Sequence, residues 1–246
     1  MGVELDNYGR ASRVLPQRTP EGENAELRTS LYGDQHVVPV FSNAFALADE
    51  GGTFVALNPT PGTGITQGIT TAFVATTPVI AIHNLEKASD PAAKRVYIDQ
   101  IKALCSVVGA TATNWQYVAV RDNLRIPSGG TPLTPANVNG DSARASIARI
   151  DFGNLTAPAA VDPKIVARGM LRTVLPPAFD EHVLKFGGVE AAAQVPNYAV
   201  ATAALITKNL PAVILGPQQS LLIYLFGTAL ATTAPTWEPE IIYHER

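Results

Sequence analysis

The chain has a single cysteine, Cys105, among 246 residues. No intrachain disulfide can form, so folding makes no demand for an oxidising compartment. Cys105 lies within the apolar run Leu-Cys-Ser-Val-Val, which reads as a buried, inert thiol rather than a nucleophile. Charge is scarce as well. Asp, Glu, Lys and Arg make up 16% of residues, against roughly 25% in ordinary domains, and the formal net charge is −3. That balance argues against a main role on nucleic acid, because phosphate contacts need clustered Lys and Arg. No apolar run approaches the ~20 residues that span a bilayer as a helix. The opening Met1–Asn7 has neither the basic start nor the apolar stretch of a secretory signal.

Chemical motifs are equally thin. The four histidines, His36, His83, His182 and His244, stand far apart, and no His-x-His, His-x-x-x-His or Cys/His spacing marks a metal site. Gly62-Thr-Gly-Ile-Thr-Gln-Gly68 has Gln67 where a dinucleotide fingerprint needs glycine, and no strand–helix context surrounds it. There is neither a phosphate-binding P-loop nor a Gly-x-Ser-x-Gly elbow. The acidic neighbours Asp49-Glu50 and Asp180-Glu181 point apart in extended chain and read as solvated loop or helix-end residues. No catalytic residue, cofactor-binding residue or metal ligand is assigned, and the chain reads as a non-enzyme.

What the chain does have is β-forming sequence. Hydrophobic residues reach 46%, with 19 Gly and 19 Pro. Apolar, β-branched and aromatic runs of four to eight residues recur between turn signals such as Asn139-Gly140-Asp141, Ser128-Gly129-Gly130 and Gly187-Gly188. Strands are expected at Phe54–Leu57, Ile69–Ala75, Val79–Asn84, Lys94–Val108, Trp115–Arg121, Ala145–Phe152, Ile165–Leu175, His182–Phe186, Ala201–Lys208, Val213–Leu215, Leu221–Phe226 and Pro239–His244. A short helix over 40–50 is expected to end at Gly51-Gly52. The expected fold is all-β: a jelly-roll-like antiparallel β-sandwich over residues 31–246. Leu221–Phe226 is apolar on both faces, so it is expected to be an internal strand.

Residues 1–30 differ from the rest. Apolar residues are sparse and unperiodic, and Arg10, Arg13, Arg18 and Arg28 are mixed with five acids. This composition implies an extended N-terminal arm that becomes ordered against a partner. The four arginines are its candidates for charged contacts. Arg outnumbers Lys 12 to 6 across the chain, as suits side chains that lose water at interfaces. Trp115, Tyr117, Trp237 and Tyr243 are candidates for a subunit interface, core being the alternative place for them. With Tyr198 and Tyr224 they are also able to stack on sugar rings.

Several phrases taken together resemble structural proteins of tailed-bacteriophage particles, in particular the capsid decoration or cement type. They are Ala48-Asp-Glu-Gly51, Asn58-Pro-Thr-Pro-Gly-Thr-Gly-Ile65, Lys94-Arg-Val-Tyr-Ile-Asp99, Phe186-Gly-Gly188, Leu215-Gly-Pro-Gln-Gln-Ser-Leu221 and Ile241-Ile-Tyr-His-Glu-Arg246. The resemblance implies a non-enzymatic homotrimer, made in the host cytoplasm and seated on the outer capsid surface of the virion. Its partner would be the major capsid protein; the resemblance covers roughly residues 30–246, and it is the composition of the arm that makes Arg10, Arg13, Arg18 and Arg28 capsid-contact candidates. No cofactor, membrane or direct nucleic-acid contact is implied. Alternatives from the sequence are a tail, neck or fibre-associated virion protein, a carbohydrate-binding adhesin module, and a jelly-roll enzyme. The last is weakened by the missing His-x-His pair.

Overall fold

The structure, a computed structural model, describes residues 43–246 except 69, 111–112, 124, 188–204 and 229–232. Arg10, Arg13, Arg18 and Arg28, with the rest of the expected arm, lie outside the described residues. The chain divides into two compact units, 1–46 and 47–246, and the fold below is that of the second.

Helix α1 (Asn43–Asp49) stops where expected. Gly51 takes the left-handed conformation (φ +66°). Its N–H bonds Ala48 O and the Gly52 N–H bonds Leu47 O, both at 2.9 Å. These are the two reversed bonds of a glycine helix stop.

Among the described residues fourteen strands follow in chain order: β1 (Thr53–Leu57), β2 (Ile65–Thr66), β3 (Ile80–Asn84), β4 (Val96–Val107), β5 (Thr113–Asn123), β6 (Ser128–Leu133), β7 (Pro135–Asn137), β8 (Ala148–Thr156), β9 (Lys164–Val174), β10 (Glu181–Phe186), β11 (Leu205–Leu210), β12 (Val213–Leu215), β13 (Gln219–Thr228) and β14 (Thr236–Glu245). One sheet runs β11-β10-β4-β14-β1-β7, with β12 added on β4 and β2 on β14. The other runs β6-β8-β3-β13-β5-β9. Every pairing is antiparallel except β10 with β11.

Eight of these strands form one long ribbon wound on itself. Its rungs are β1 with β14, β3 with β13, β4 with β10, and β5 with β9. The rungs alternate between the sheets, which is the strand order of a jelly roll. The remaining strands are insertions: β8 and then β6 extend the six-stranded sheet beyond β3, β7 pairs β1 at the edge of the eight-stranded sheet, β11 and β12 fill in beside β10 and β4, and β2 pairs β14.

Side-chain alternation explains the winding. Along β14, residues alternate without a break between half-buried and buried: Trp237, Pro239, Ile241, Tyr243 and Glu245 point inward. β4 cannot match that regularity. Its register with β14 slips between Ile242 and Tyr243, and Asp99 is the extra residue. The bulge flips the phase, so Val96 and Ile98 are buried before it, and Ile101, Ala103 and Cys105 after it. Gln100 therefore leaves the face of Val96 and Ile98 that simple alternation would give it.

β13 is internal, and Ser220 to Gly227 are all buried. Leu221, Ile223 and Leu225 enter the main core between the sheets. Leu222, Tyr224 and Phe226 enter a second cluster on the outer face, with Ala81, Val120 and Leu155.

Two expectations are corrected. Residues 70–75, the described part of the expected strand Ile69–Ala75, belong instead to a loop over 70–79 laid over that outer face. Phe73 meets Tyr224 edge-on at 4.9 Å, the Thr76 carbonyl accepts from Ala157 N, and Val79 N donates to Ile223 O. The apolar run covers β13 instead of extending a sheet, so tertiary packing overrides its β-propensity. Ser128-Gly129-Gly130, expected as a turn, begins β6. Its glycines have φ +80° and +70° and make a bulge against β8.

Candidate functional site

Among the described residues, the side chains equipped for chemistry gather at three places: the covered outer face of the six-stranded sheet, the seam between the two sheets, and the end of β14.

The first is a polar row across four strands of the six-stranded sheet. Asp122 (β5), Ser220 (β13), His83 (β3) and Arg149 (β8) are successive cross-strand partners. His83 Nδ1 and Ser220 Oγ are 2.6 Å apart, the spacing of a Ser–His dyad. The hydroxyl donates its proton to Arg125 O at 2.9 Å, so the imidazole donates to Oγ rather than taking a proton from it. This polarity is opposite to nucleophile activation, and Ser220 is fully buried. Burial, then the Arg149 charge, lowers the His83 pKa to about 4 against a raising pull from Asp151. Arg149 itself pairs with Asp151 through Nε at 2.8 Å and Nη2 at 3.3 Å.

At its Asp122 end the row meets a buried arginine, Arg125. Arg125 Nε donates to Pro158 O at 2.9 Å and Nη2 to Ala75 O. Its Nη1 reaches Asp122 Oδ2 and the Tyr224 hydroxyl, each at 3.4 Å. Asp122 in turn accepts from the backbone N–H groups of Asn123, Val161 and Asp162. Loops 70–79 and 157–162 are thereby tied to the outer face of the sheet.

The second place joins the two sheets. Arg172 at the end of β9 grips Asp180, just before β10, with two bonds of 2.6 Å. His182 Nε2 lies 2.7 Å from Asp180 Oδ2, too oblique for a linear hydrogen bond. The His182 ring meets Trp237 edge-on at 5.5 Å. Burial holds its pKa below the usual histidine range, the Asp180 contact pulls the other way, and Arg172 and Lys208 add to the lowering. Asp180 was expected on a solvated loop, yet it is fully buried. Nothing in the sequence pairs it with Arg172, because the contact depends on how the β9–β10 connection folds back. Cys105 adjoins this cluster. Its thiol points at Pro176 O (3.7 Å) and Val107 O (3.5 Å), and burial, helped by Asp180, pushes its pKa up to about 12. The thiolate is absent at neutral pH.

The third place holds the C-terminal strand. The Glu245 carboxylate, wholly buried, accepts from Ser146 Oγ at 2.6 Å and Ile147 N at 2.9 Å. Tyr243 Oη shares the Ser146 hydroxyl at 2.7 Å.

The expected interface residues are corrected here. Trp115, Trp237 and Tyr243 have no exposed surface and Tyr117 only 6%. All four belong to the core of a single chain, so none presents a ring to a second subunit or to a sugar. Tyr224 is likewise buried, its hydroxyl donating to Ala75 O at 2.8 Å. Tyr198 lies outside the described residues.

Concavities open on the surface of the described residues. One, of about 450 Å³, lies where β2 crosses β8. Its lining is uncharged and rich in amide and hydroxyl groups, from Asn58, Thr60, Thr63, Thr66, Thr131 and Asn154. Gly153 (φ +111°) permits the crossing, because a Cβ there would stand 2.8 Å from Ile65 Cγ2. Another is a shallow hollow of about 190 Å³ on the outer face of the eight-stranded sheet. Leu57, Leu104, Glu181 and Glu238 line it beside the Lys102–Glu240 ion pair of 2.8 Å. Among the described residues no group of three or more His, Cys, Asp or Glu is placed to hold a metal ion. No helix there is long and apolar enough to cross a membrane.

No protein-family model, curated protein or solved structure matches this chain.

Proposed function

We propose that this protein is a non-enzymatic structural component of a phage particle, a capsid decoration protein that binds and strengthens the lattice of the major capsid protein. The observation that carries the reading is where the polar groups go. Ser220, His83, Arg172, Asp180, His182 and Cys105 are buried and engaged with one another or with the backbone. The surface, in contrast, exposes large apolar side chains such as Phe179, Leu205 and Val161. That distribution suits a rigid body which works by surface contact. The jelly-roll order and the phrase resemblance to cement proteins agree with it.

The physics of such a role is mass action. A protein that binds the assembled lattice and not free subunits stabilises the assembly. A homotrimer, the closed symmetry that the resemblance implies, adds avidity because its later contacts are intramolecular. The test is to mix the purified chain with shells of the major capsid protein encoded alongside it, pellet the shells, and count bound copies. Saturation at lattice stoichiometry, with shells made more resistant to heat, is expected. Absence from the pellet, or binding in tail-like copy number, would move the protein to a tail, neck or fibre position.

A second reading, a carbohydrate-binding module, rests on the uncharged amide- and hydroxyl-lined groove at the β2–β8 crossing. A glycan panel checks it, and Thr131→Arg in that groove should abolish any signal found.

A further inference from the structure

Phe179 combines two properties that neither folding nor solubility explains. Residues Pro177 to Asp180 make a tight turn closed by Asp180 N to Pro177 O at 3.2 Å. Phe179 holds the third position with φ +65°, a left-handed conformation that turns reserve for glycine or asparagine. Its ring gains nothing from the fold in return: at 70% it is the most exposed large apolar side chain among the described residues.

The surroundings keep the ring from relaxing. Phe179 N donates to Cys105 O at 2.7 Å, and Cys105 N to Asp180 O at 2.8 Å. The next side chain, Asp180, is locked under the sandwich by Arg172. The tip is thus bolted to the core on both sides. Backbone strain held by an over-determined scaffold clusters at functional positions, aromatic side chains are enriched at protein interfaces, and one already held rigid loses less freedom on binding.

The register supplies the border of the patch. Leu205, Glu181, Leu104 and Glu238 are successive cross-strand partners in the row beside Phe179, and Leu205 is 66% exposed. Lys102 pairs with Glu240 at 2.8 Å and also feels Glu181, so one cation among Glu181, Glu238 and Glu240 leaves this end of the sheet net negative.

We propose that Phe179 is a preformed anchor that inserts into an apolar pocket, bordered by Lys or Arg, on the surface of the partner protein. This rests on the reading of the chain as a binder of another protein, and it specifies the contact. The partner's basic border follows from charge complementarity with Glu181 and Glu238.

The experiment uses the full chain with Phe179→Asn, which relieves the turn while removing the ring. Phe179→Gly serves as a second variant. Capsid-shell pelleting and urea unfolding are measured on the same preparations. The expected result is a loss of shell affinity of at least ten-fold with an unfolding midpoint equal to or above that of the parent. Unchanged affinity would overturn the anchor while leaving the capsid reading intact. A clearly lowered midpoint in both variants would also overturn it, since the ring would then be serving the fold. In parallel, a photo-crosslinking benzoylphenylalanine replaces Phe179 in cells producing the particle, with Val161, 63% exposed on the other sheet's side, as control. Crosslinks are expected from position 179 alone, to an apolar site with Lys or Arg beside it. If they map to a protein other than the major capsid protein, and Phe179→Asn weakens binding to that purified protein, the anchor stands and the capsid reading falls. No crosslink, or crosslinks only to other copies of this chain, would overturn the anchor.

Discussion

Trp115 of β5 and Trp237 of β14 stack inside the sandwich, ring centroids 6.1 Å apart and planes 27° from parallel. One comes from each sheet, so the pair ties the two layers. Their hydrogen bonding is unequal. Trp237 Nε1 donates to the buried Gln67 Oε1 at 2.7 Å, whereas Trp115 Nε1 has no acceptor among the described residues.

That inequality predicts an asymmetry. Trp237→Phe leaves Gln67 Oε1 without its donor, adding about 1–3 kcal/mol to the loss of volume. Trp115→Phe removes a donor that had no partner and loses volume alone. Urea denaturation should therefore show a larger fall for Trp237→Phe. Equal falls, or the reverse order, would show that the indole bond contributes nothing.

Stability should decline on mild acidification. His83, His182 and His244 all have pKa values lowered in the fold, in each case chiefly by burial. A group held neutral in the native state, with an unfolded pKa near 6.5, contributes stability that is complete above that pH. It is lost as pH falls toward the folded value, about 4 for His83. Over that window His83 alone accounts for on the order of 2–3 kcal/mol. Unfolding midpoints should fall between pH 7 and pH 5, and His83→Gln, which can still donate to Ser220, should flatten part of the slope. A midpoint that is constant or rises on acidification would contradict this assignment.

Arg125 should behave as a local fastener. Arg125→Met abandons the carbonyls of Ala75 and Pro158 and leaves the Asp122 carboxylate without its cation. Breaking one side of a buried pair costs about 3–5 kcal/mol. Limited proteolysis should cut first within 70–79 and 157–162, ahead of the sheets. Arg125→Lys should not rescue the effect, because one ammonium cannot reach in three directions at once. Cleavage that begins elsewhere would remove Arg125 from this role.

The sequence by itself determined the fold class, because burial on a pleated sheet imposes a period of two and turns impose Gly, Pro and Asn. β14 alternates from Trp237 to Glu245 without exception, and β13 is apolar on both faces because both are covered. The helix stop at Gly51 was legible for the same local reason. What the tertiary structure decided was which surface each side belongs to. Residues 70–75 carry strand-like sequence but are drawn flat over Tyr224 by contacts more than 140 residues distant along the chain. Trp115, Tyr117, Trp237 and Tyr243 look the same in sequence whether they line a core or an interface, and only the closing of the second sheet encloses them. The Arg172–Asp180 and Ser220–His83 pairs were invisible because winding the ribbon, not spacing along the chain, brings their members together. The strain at Phe179 is a dihedral angle fixed by bonds to Cys105 and by the burial of Asp180, and no residue pattern around Pro176-Pro177 encodes it.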